Sequence, residues 1–583
     1  MAFLSNREAG RSALATLARN RVLPNLYDLA AFALLAALAV LALHGAAAMR
    51  APLSGLATEP VVLDPALLPD YALRTTMRMF AAIIASLVFT FTIATLAAKS
   101  RRAEMVIIPA LDILQSVPVL GFLTFTVTFF MGLFPGSQLG AECASIFAIF
   151  TSQAWNMAFS FYQSLRTVPG DLDEVSRSFG LSSWQRFWRL EAPFAMPGLI
   201  WNTMMSMSGG WFFVVASEAI TVGDTTVQLP GLGSWLALAI KEQNFTAVAW
   251  AVLAMAIVIG LYDQLLFRPI VAWADKFRFE QTAGQQKPRS WVHALARRTR
   301  LLKRLTAPFA WLGGRLLLVR FRSAPPVRRA VSAGTSKALD RAWLALILAT
   351  GVWAMWTAVA YLGQSLSWSD AWDPLARGLV TLLRVTLLIA IASVIWIPLG
   401  VWIGLRPDAA ERVQPVAQFF AAFPANVLFP FAVIAIVATG ASPDIWLSPL
   451  MVLDTQWYIL FNVIAGASAF PTDLREAASV YQLRSWTWWR RVMLPGIFPY
   501  YVTGALTASG GSWNASIVAE VASWGDTKLE AYGLGAYIAN ATEAGDFPRV
   551  VLGIAVMSLF VTLFNRLLWR PLYAMAERRM RLD

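Results

Sequence analysis

The sequence predicts an all-α polytopic membrane protein of about 12 transmembrane helices, arranged as two tandem, parallel six-helix repeats. Three observations predict it: an apolar composition whose excess charge is confined to one segment, a series of apolar runs of bilayer length, and an internal duplication. Of 583 residues, 58% are hydrophobic and 14% charged, roughly half the charge of an ordinary soluble chain. Such a composition excludes disordered, collagen-like and disulfide-stapled classes.

The net charge of +13 (47 basic, 34 acidic) has a single source. Lys287 to Arg341 holds 14 Lys or Arg against one acid, Asp340, and the remaining 33 basic and 33 acidic residues cancel. A basic segment flanked by apolar sequence reads as a loop of a membrane protein, not as a nucleic-acid footprint. Cys143 is the lone cysteine, and His44 and His293 are far apart. No disulfide or thiolate cluster can form within the chain, and the spacing argues against a histidine metal or acid–base site. No catalytic residue and no metal ligand is assigned.

A bilayer core needs ~20 apolar residues per helix. Candidate spans are 29–48, 79–98, 113–134, 143–165, 197–220 and 247–267, then 342–363, 380–405, 416–439, 446–468, 497–522 and 549–569. Pro118 and Pro424 interrupt the third and ninth near their starts. The first exceeds the ~7–15-residue core of a signal peptide and reads as an uncleaved helix. Loops rich in Lys and Arg face the cytoplasm. Arg7, Arg11, Arg19 and Arg21, then Lys99, Arg101 and Arg102, then Arg166, Arg177, Arg186 and Arg189 all fall on one face, with the centre and Arg578, Arg579 and Arg581. Residues 49–73 and 364–376 are acid-biased. Both termini and the centre are therefore expected in the cytoplasm.

The halves align without a gap from Pro169 to Ala274 at a shift of 302, as in Glu174 to Glu476, Pro193 to Pro495, Glu218 to Glu520 and Gly231-Leu232-Gly233 to Gly533-Leu534-Gly535. Earlier the shift is 306, as in Arg78 to Arg384 and Pro118 to Pro424. The organisation is a 1–28 arm, a repeat at 29–268, a basic linker at 269–341, a second repeat at 342–571 and a 572–583 tail. Two parallel repeats imply a pseudo-two-fold along the membrane normal with a pathway between them.

Each half carries a long polar, aromatic loop, 169–193 and 471–495. Proline, then acids in the first turn, then Gly180 as a turn and Pro193 or Pro495 as a stop, read as two short helices. A repeated cytoplasmic protrusion suits a two-fold symmetric partner; the plainer reading is an amphipathic loop resting on lipid headgroups.

Glu476-Ala477-Ala478 with Leu494-Pro495, and Glu174 with Gly180 and Pro193, resemble the EAA loop of permease subunits of binding-protein-dependent ABC importers. The second copy has Gln482 where the family has glycine; the first has Val175-Ser176 and Ala192-Pro193. These departures put equal use of the two loops in question. Asn514-Ala-Ser-Ile-Val-Ala-Glu520, Gly525-Asp526, Gly533-Leu-Gly-Ala-Tyr-Ile and Gly545-Asp-Phe547 look like the nitrate/sulfonate/taurine/bicarbonate branch. The resemblance covers roughly 70–275 and 376–577.

It implies a type I ABC importer-like fused pair of permease repeats in a bacterial inner membrane, importing a small anion or sulfonate-like solute. It also implies two separate ATPase subunits, a homodimer carrying ATP-Mg, and a periplasmic or lipid-anchored solute-binding protein. The chain itself holds no Gly-x-x-x-x-Gly-Lys-Ser/Thr loop and no cofactor. ATPase coupling would fall to Glu174, Gly180, Trp184, Pro193, Glu476, Ala477, Ala478, Trp486, Leu494 and Pro495. Ser206-Met-Ser-Gly-Gly210 and Ala508-Ser-Gly-Gly511 only superficially resemble an ATPase signature and lie within spans, where small residues permit close packing.

Polar residues within spans are the pathway candidates: Gln153, Asn156, Ser208 and Trp211 in the first half, and Gln456, Asn462, Trp513, Asn514 and Ser516 in the second. Glu218 and Glu520 end their spans and read either as gate residues or as structural carboxylates at the periplasmic interface. Arg78 and Arg384 read either as attracting anions into a mouth or as snorkelling. Alternatives of other classes are a fused permease for ferric iron or thiamine and a twelve-helix secondary transporter. The linker, with Arg297-Arg298-Thr-Arg300 and Lys303-Arg304 among leucines, fits a segment lying on anionic lipid.

Overall fold

The computed structural model describes residues 61–116, 119–135, 137–222, 225–277, 290–299 and 333–579, with short pieces inside 30–41 and 304–315. Half of the expected first span and most of the linker lie outside these residues. The described residues divide into two compact units: one comprises those of Met1–Ala46, Thr167–Ile200 and Leu261–Arg329, the other those of Ala47–Arg166, Trp201–Gly260 and Ala330–Asp583.

The first half contributes α1 (Pro65–Lys99), α2 (Leu139–Arg166), α3 (Ala192–Glu218), a hairpin of β1 (Ala219–Val222) and β2 (Thr225–Gln228), α4 (Leu232–Lys241) and α5 (Phe245–Ala274). After α6 (Ala333–Leu362), the second half gives α7 (Trp368–Gly404), α8 (Gln456–Ser468), α9 (Leu494–Ala519), β3 (Val521–Trp524), β4 (Thr527–Glu530), α10 (Leu534–Glu543) and α11 (Phe547–Ala576). From Gly170–Ser178 against Thr472–Val480 down to α5 against α11, the boundaries repeat at the 302-residue shift, except that α9 stops one residue early. Both hairpins are antiparallel, pairing Ala219 with Gln228 and Val521 with Glu530. Among the described residues, two small hairpins are thus added to otherwise helical elements.

Among the described residues five helices are long and apolar enough to cross a membrane, or seven if each of two bent pairs counts as one span. The expected first and third spans fall partly outside the described residues, and two physical reasons account for the other expected spans that do not meet this measure. α2, α3 and α9 are 28, 27 and 26 residues long, but their Ser, Thr, Asn, Gln and Gly dilute the apolar character that identifies a span. The other reason is breakage. The expected 416–439 span is two helices bent by 75° at Pro424, and the expected 446–468 span is two helices bent by 43° between Met451 and Gln456. A proline lacks the N–H that a continuous helix needs and its ring clashes with the preceding turn.

Within the larger unit, α7 and α9 pack against α8 and α1 packs against α2. Close approach depends on glycine: a Cβ at Gly404 would meet the Ile464 carbonyl oxygen at 2.7 Å, and one at Gly504 the Tyr458 carbonyl oxygen at 2.7 Å. Met205 of α3 joins an apolar core with Ile403, Leu460, Phe461 and Ile464 from the second half. The two halves thereby share one core. α6 keeps its apolar window wholly outward, with Val352, Trp353 and Trp356 exposed, as suits a helix whose solvent is lipid.

Candidate functional site

Three sites follow from these elements: a buried carboxylate cluster in each half, a cavity between the halves, and the two polar loops.

Glu218 ends α3 fully buried. Its Oε1 accepts from Arg78 Nη1 at 2.6 Å and from Thr75 Oγ1 at 2.7 Å, and its Oε2 from the Gly233 N–H at 2.7 Å. Arg78 also donates to both oxygens of Glu142, at 2.6 and 2.7 Å. Thr75 accepts from the Leu232 N–H. The cluster ties α1, α2, α3 and α4 together. In the second half Glu520 accepts from Thr381 at 2.8 Å, Arg384 at 3.2 Å and the Ala536 N–H at 3.1 Å, while Arg384 also donates to Asp444 at 2.9 Å. A Cβ on Gly231 or on Gly533 would lie inside the carboxylate of Glu218 or Glu520, which explains why each Gly-Leu-Gly begins with glycine. Arg78 neither snorkels nor lines a mouth: its side chain is sealed between two acids. Sequence reasoning missed Glu142, Asp444, Thr75 and Thr381, although 142 and 444 are both acidic at the 302 shift.

A cavity of about 90 Å³ lies between the halves. Five pairs of its lining residues are related by the 302 shift: Ser152 and Asp454, Asn156 and Tyr458, Gly209 and Gly511, Phe212 and Asn514, Phe213 and Ala515. Asp454 sits in the break before α8, and its Oδ1 has no hydrogen-bond partner; neither has Trp155 Nε1, also in the lining.

Of the pathway candidates, Asn156 and Asn514 line this cavity. Asn156 donates to Ser206, and Asn514 to the Gly510 carbonyl. Gln153 is buried on α2 with both amide atoms unpartnered, and a Cβ on Gly210 would meet its Nε2 at 2.7 Å. Trp211 is buried in α3, while the side chain of Ser208 is outside the described residues. Gln456 accepts from Trp396 and donates to the Leu453 carbonyl; Asn462 donates to the Tyr458 carbonyl. Trp513 stacks on Phe560, with ring centroids 6.4 Å apart, and Ser516 donates to the Trp513 carbonyl.

Each polar loop is a helix, a tight turn and a second short helix: Gly170–Ser178 then Ser183–Arg186, and Thr472–Val480 then Ser485–Trp488. Glu174 and Glu476 lie in the first helix of their loops, and Ala477 and Ala478 follow in the second copy. Trp184 and Trp486 are exposed in the second helix. Arg186 bridges Asp173 at 3.0 Å and Glu191 at 3.2 Å. Gly180 turns with φ +64°, and Gln482 takes the same left-handed conformation at φ +50°. Pro193 and Pro495 do not stop the second helix as the sequence suggests. The π-helical turns Phe187–Glu191 and Trp489–Met493 run straight into α3 and α9, placing Pro193 and Leu494-Pro495 in the first turn of those helices. Near a helix start the missing proline N–H costs little, and the wider turn before it makes room for the ring.

At the hairpin ends, Lys528 donates to Glu543 at 2.7 Å and pairs with Glu530 at 3.2 Å. Burial pushes the Glu530 carboxyl up, but hydrogen bonds from Asn540 and Lys528 outweigh it and hold the group below the usual carboxylate range.

Residues 90–265 and again 396–581 match the family model of the binding-protein-dependent transport system inner membrane component. The chain is 27% identical over 212 residues to the nitrate import permease protein of Leptolyngbya laminosa, covering 34% of this chain and 72% of that one. It is 26% identical over 188 residues to the bicarbonate transport system permease protein of Synechococcus elongatus (32% and 64%). It is 27% identical over 195 residues to the taurine transport system permease protein of Escherichia coli (33% and 66%). The chain thus spans about two thirds of the length of these relatives. Two matches that together occupy more than half of the sequence, one in each half of a duplicated chain, leave one conclusion: the chain belongs to the binding-protein-dependent transport system inner membrane component family, as a fused double permease.

Proposed function

We propose that the chain forms the solute pathway of an ATP-driven importer for a small anion or sulfonate-like solute, as the nitrate, bicarbonate and taurine permeases among its relatives suggest. The observation that carries this reading is the cavity lined by five symmetry-related pairs, one member from each permease copy. The partners would be two ATPase subunits carrying ATP-Mg, as a homodimer, and a periplasmic or lipid-anchored solute-binding protein. The ATPases would dock on 169–193 and 471–495, the binding protein on the hairpin face at 221–246 and 523–548. Both termini and the linker would be cytoplasmic in a bacterial inner membrane. Alternating access would follow ATP-driven closure passed through Glu174–Pro193 and Glu476–Pro495. Glu218 and Glu520 would hold the hairpin-side framework, since both are committed to Arg and Thr partners.

The test is uptake by the reconstituted complex with Glu476→Ala or with 476–495 replaced. Loss of ATP-coupled uptake with retained permease folding is expected. Unchanged coupled uptake overturns the assignment of that loop, and failure of any ATPase to co-purify overturns the importer reading.

A further inference from the structure

The pathway is symmetric in position but not in chemistry. Where the first half offers Ser152, the second offers Asp454; where the first offers Phe212, the second offers Asn514. The asymmetry arises because α2 runs unbroken past Ser152, whereas the second-half span breaks between Met451 and Gln456 and presents Asp454 from the break. Among the described residues lining the cavity there is no Lys, Arg or His, and Asp454 is the one carboxylate. One carboxylate oxygen is shielded and lacks a partner, and so does the indole N–H of Trp155, another lining residue. A buried polar group without a partner is costly and calls for a ligand or a functional account. The rest of the wall includes the rings of Phe212, Phe213 and Tyr458, and aromatic faces attract cations.

We propose that this cavity is a subsite for a positively charged nitrogen, with Asp454 receiving the ammonium or quaternary ammonium group of the passing solute. The indole N–H of Trp155, also in the lining and without a partner, is a donor for an acidic oxygen of the same solute, so the solute class is a small zwitterion rather than an inorganic anion. The proposal rests on the pathway reading above and narrows it. Among the described lining residues a bare anion would meet one carboxylate and no cation; a zwitterion brings its own counter-charge. Asp454 binds the solute in transit, so weak affinity is required of it, since a pathway must release what it takes up.

The experiment measures binding of three probes to the purified full chain in lipid nanodiscs by saturation-transfer NMR: taurine, tetramethylammonium and methanesulfonate. Taurine and tetramethylammonium are expected to bind and methanesulfonate to bind at least tenfold more weakly. Asp454→Asn is expected to weaken the first two at least tenfold and leave or improve the third, while Asp454→Glu keeps the wild-type order. Methanesulfonate binding as well as taurine, no binding of either cationic probe, or Asp454→Asn without effect overturns the proposal. If Asp454→Asn fails to fold, the probe order in the wild-type and Asp454→Glu proteins still decides it. Co-purification of an ATPase with each variant is scored separately, so that failure of the subsite is distinguishable from failure of the importer reading.

Discussion

Four matched positions build a carboxylate cluster in each half, yet one cluster is sealed and the other stands half open. Arg78 and Glu218 are fully buried and Glu142 nearly so, with both ion pairs at 2.6 Å. In the second half Asp444 is 53% exposed and the Arg384–Glu520 contact lengthens to 3.2 Å. Replacing Glu142 by its shorter counterpart Asp444 leaves one chelating contact where there were two. The difference teaches that the same sequence pattern carries unequal energy. A charge pair in water is worth little, while breaking a buried pair strands a charge away from solvent.

The largest expected effect tests that contrast directly. Arg78→Met leaves two buried carboxylates without their cation and should destabilise the chain by about 3–5 kcal/mol. Arg384→Met should cost roughly 1–2 kcal/mol, because Asp444 can turn to water and Thr381 and the Ala536 N–H still hold Glu520. Thermal unfolding of the detergent-solubilised variants measures both. Equal losses would break the comparison.

The third member of each cluster sharpens it. Glu142→Gln keeps the shape but removes a buried charge from Arg78, and should cost about 2–3 kcal/mol by the same measurement. Asp444→Asn should cost under ~1 kcal/mol, since Asp444 itself is about half exposed and an amide oxygen can still accept from the Tyr532 N–H. A larger loss at Asp444 than at Glu142 would mean that exposure does not set the difference.

These residues also mark how far the sequence could be read. The duplication made the repeated architecture, the paired loops and the Glu218/Glu520 pair visible, because matched spacing survives in one dimension. It did not reveal that Arg78 reaches Glu142, 64 positions further along the chain, because that contact depends on how α1 packs on α2. Arg78 therefore reads as an interfacial arginine until its partners are seen. Asp454 is a different kind of omission. It lies inside an expected span, where any acid is a functional candidate by default, and the neighbouring Gln456 drew the attention instead. Span count was the least legible feature. Pathway helices are polar enough to lose their apolar signature, and the break at 452–455 contains no proline or glycine to announce it.

The smallest expected effect contrasts two glutamines in left-handed backbone. Gln482 has φ +50° where the first half has Gly180 at φ +64°, and Gln243 has φ +54° where the second half has Gly545 at φ +68°. Each half thus holds one side chain at a position its twin gives to glycine. A left-handed residue with a Cβ costs roughly 1–2 kcal/mol, and glycine returns part of that gain through its looser unfolded chain. Gln243 has a local compensation: its amide donates to the Trp524 carbonyl at 3.4 Å, and the adjacent Gly525 N–H donates to the Ile240 carbonyl at 3.0 Å. Phe245 lies over Trp524 with ring centroids 4.5 Å apart, which completes a latch between the halves. Gln482 is exposed in its loop and no such bond offsets its strain. Gln482→Gly should therefore stabilise the isolated chain by about 0.5–1 kcal/mol, whereas Gln243→Gly should be neutral or slightly destabilising. If Gln243→Gly stabilises as much as Gln482→Gly, the latch contributes nothing, and the strain at both positions is simply unrelieved.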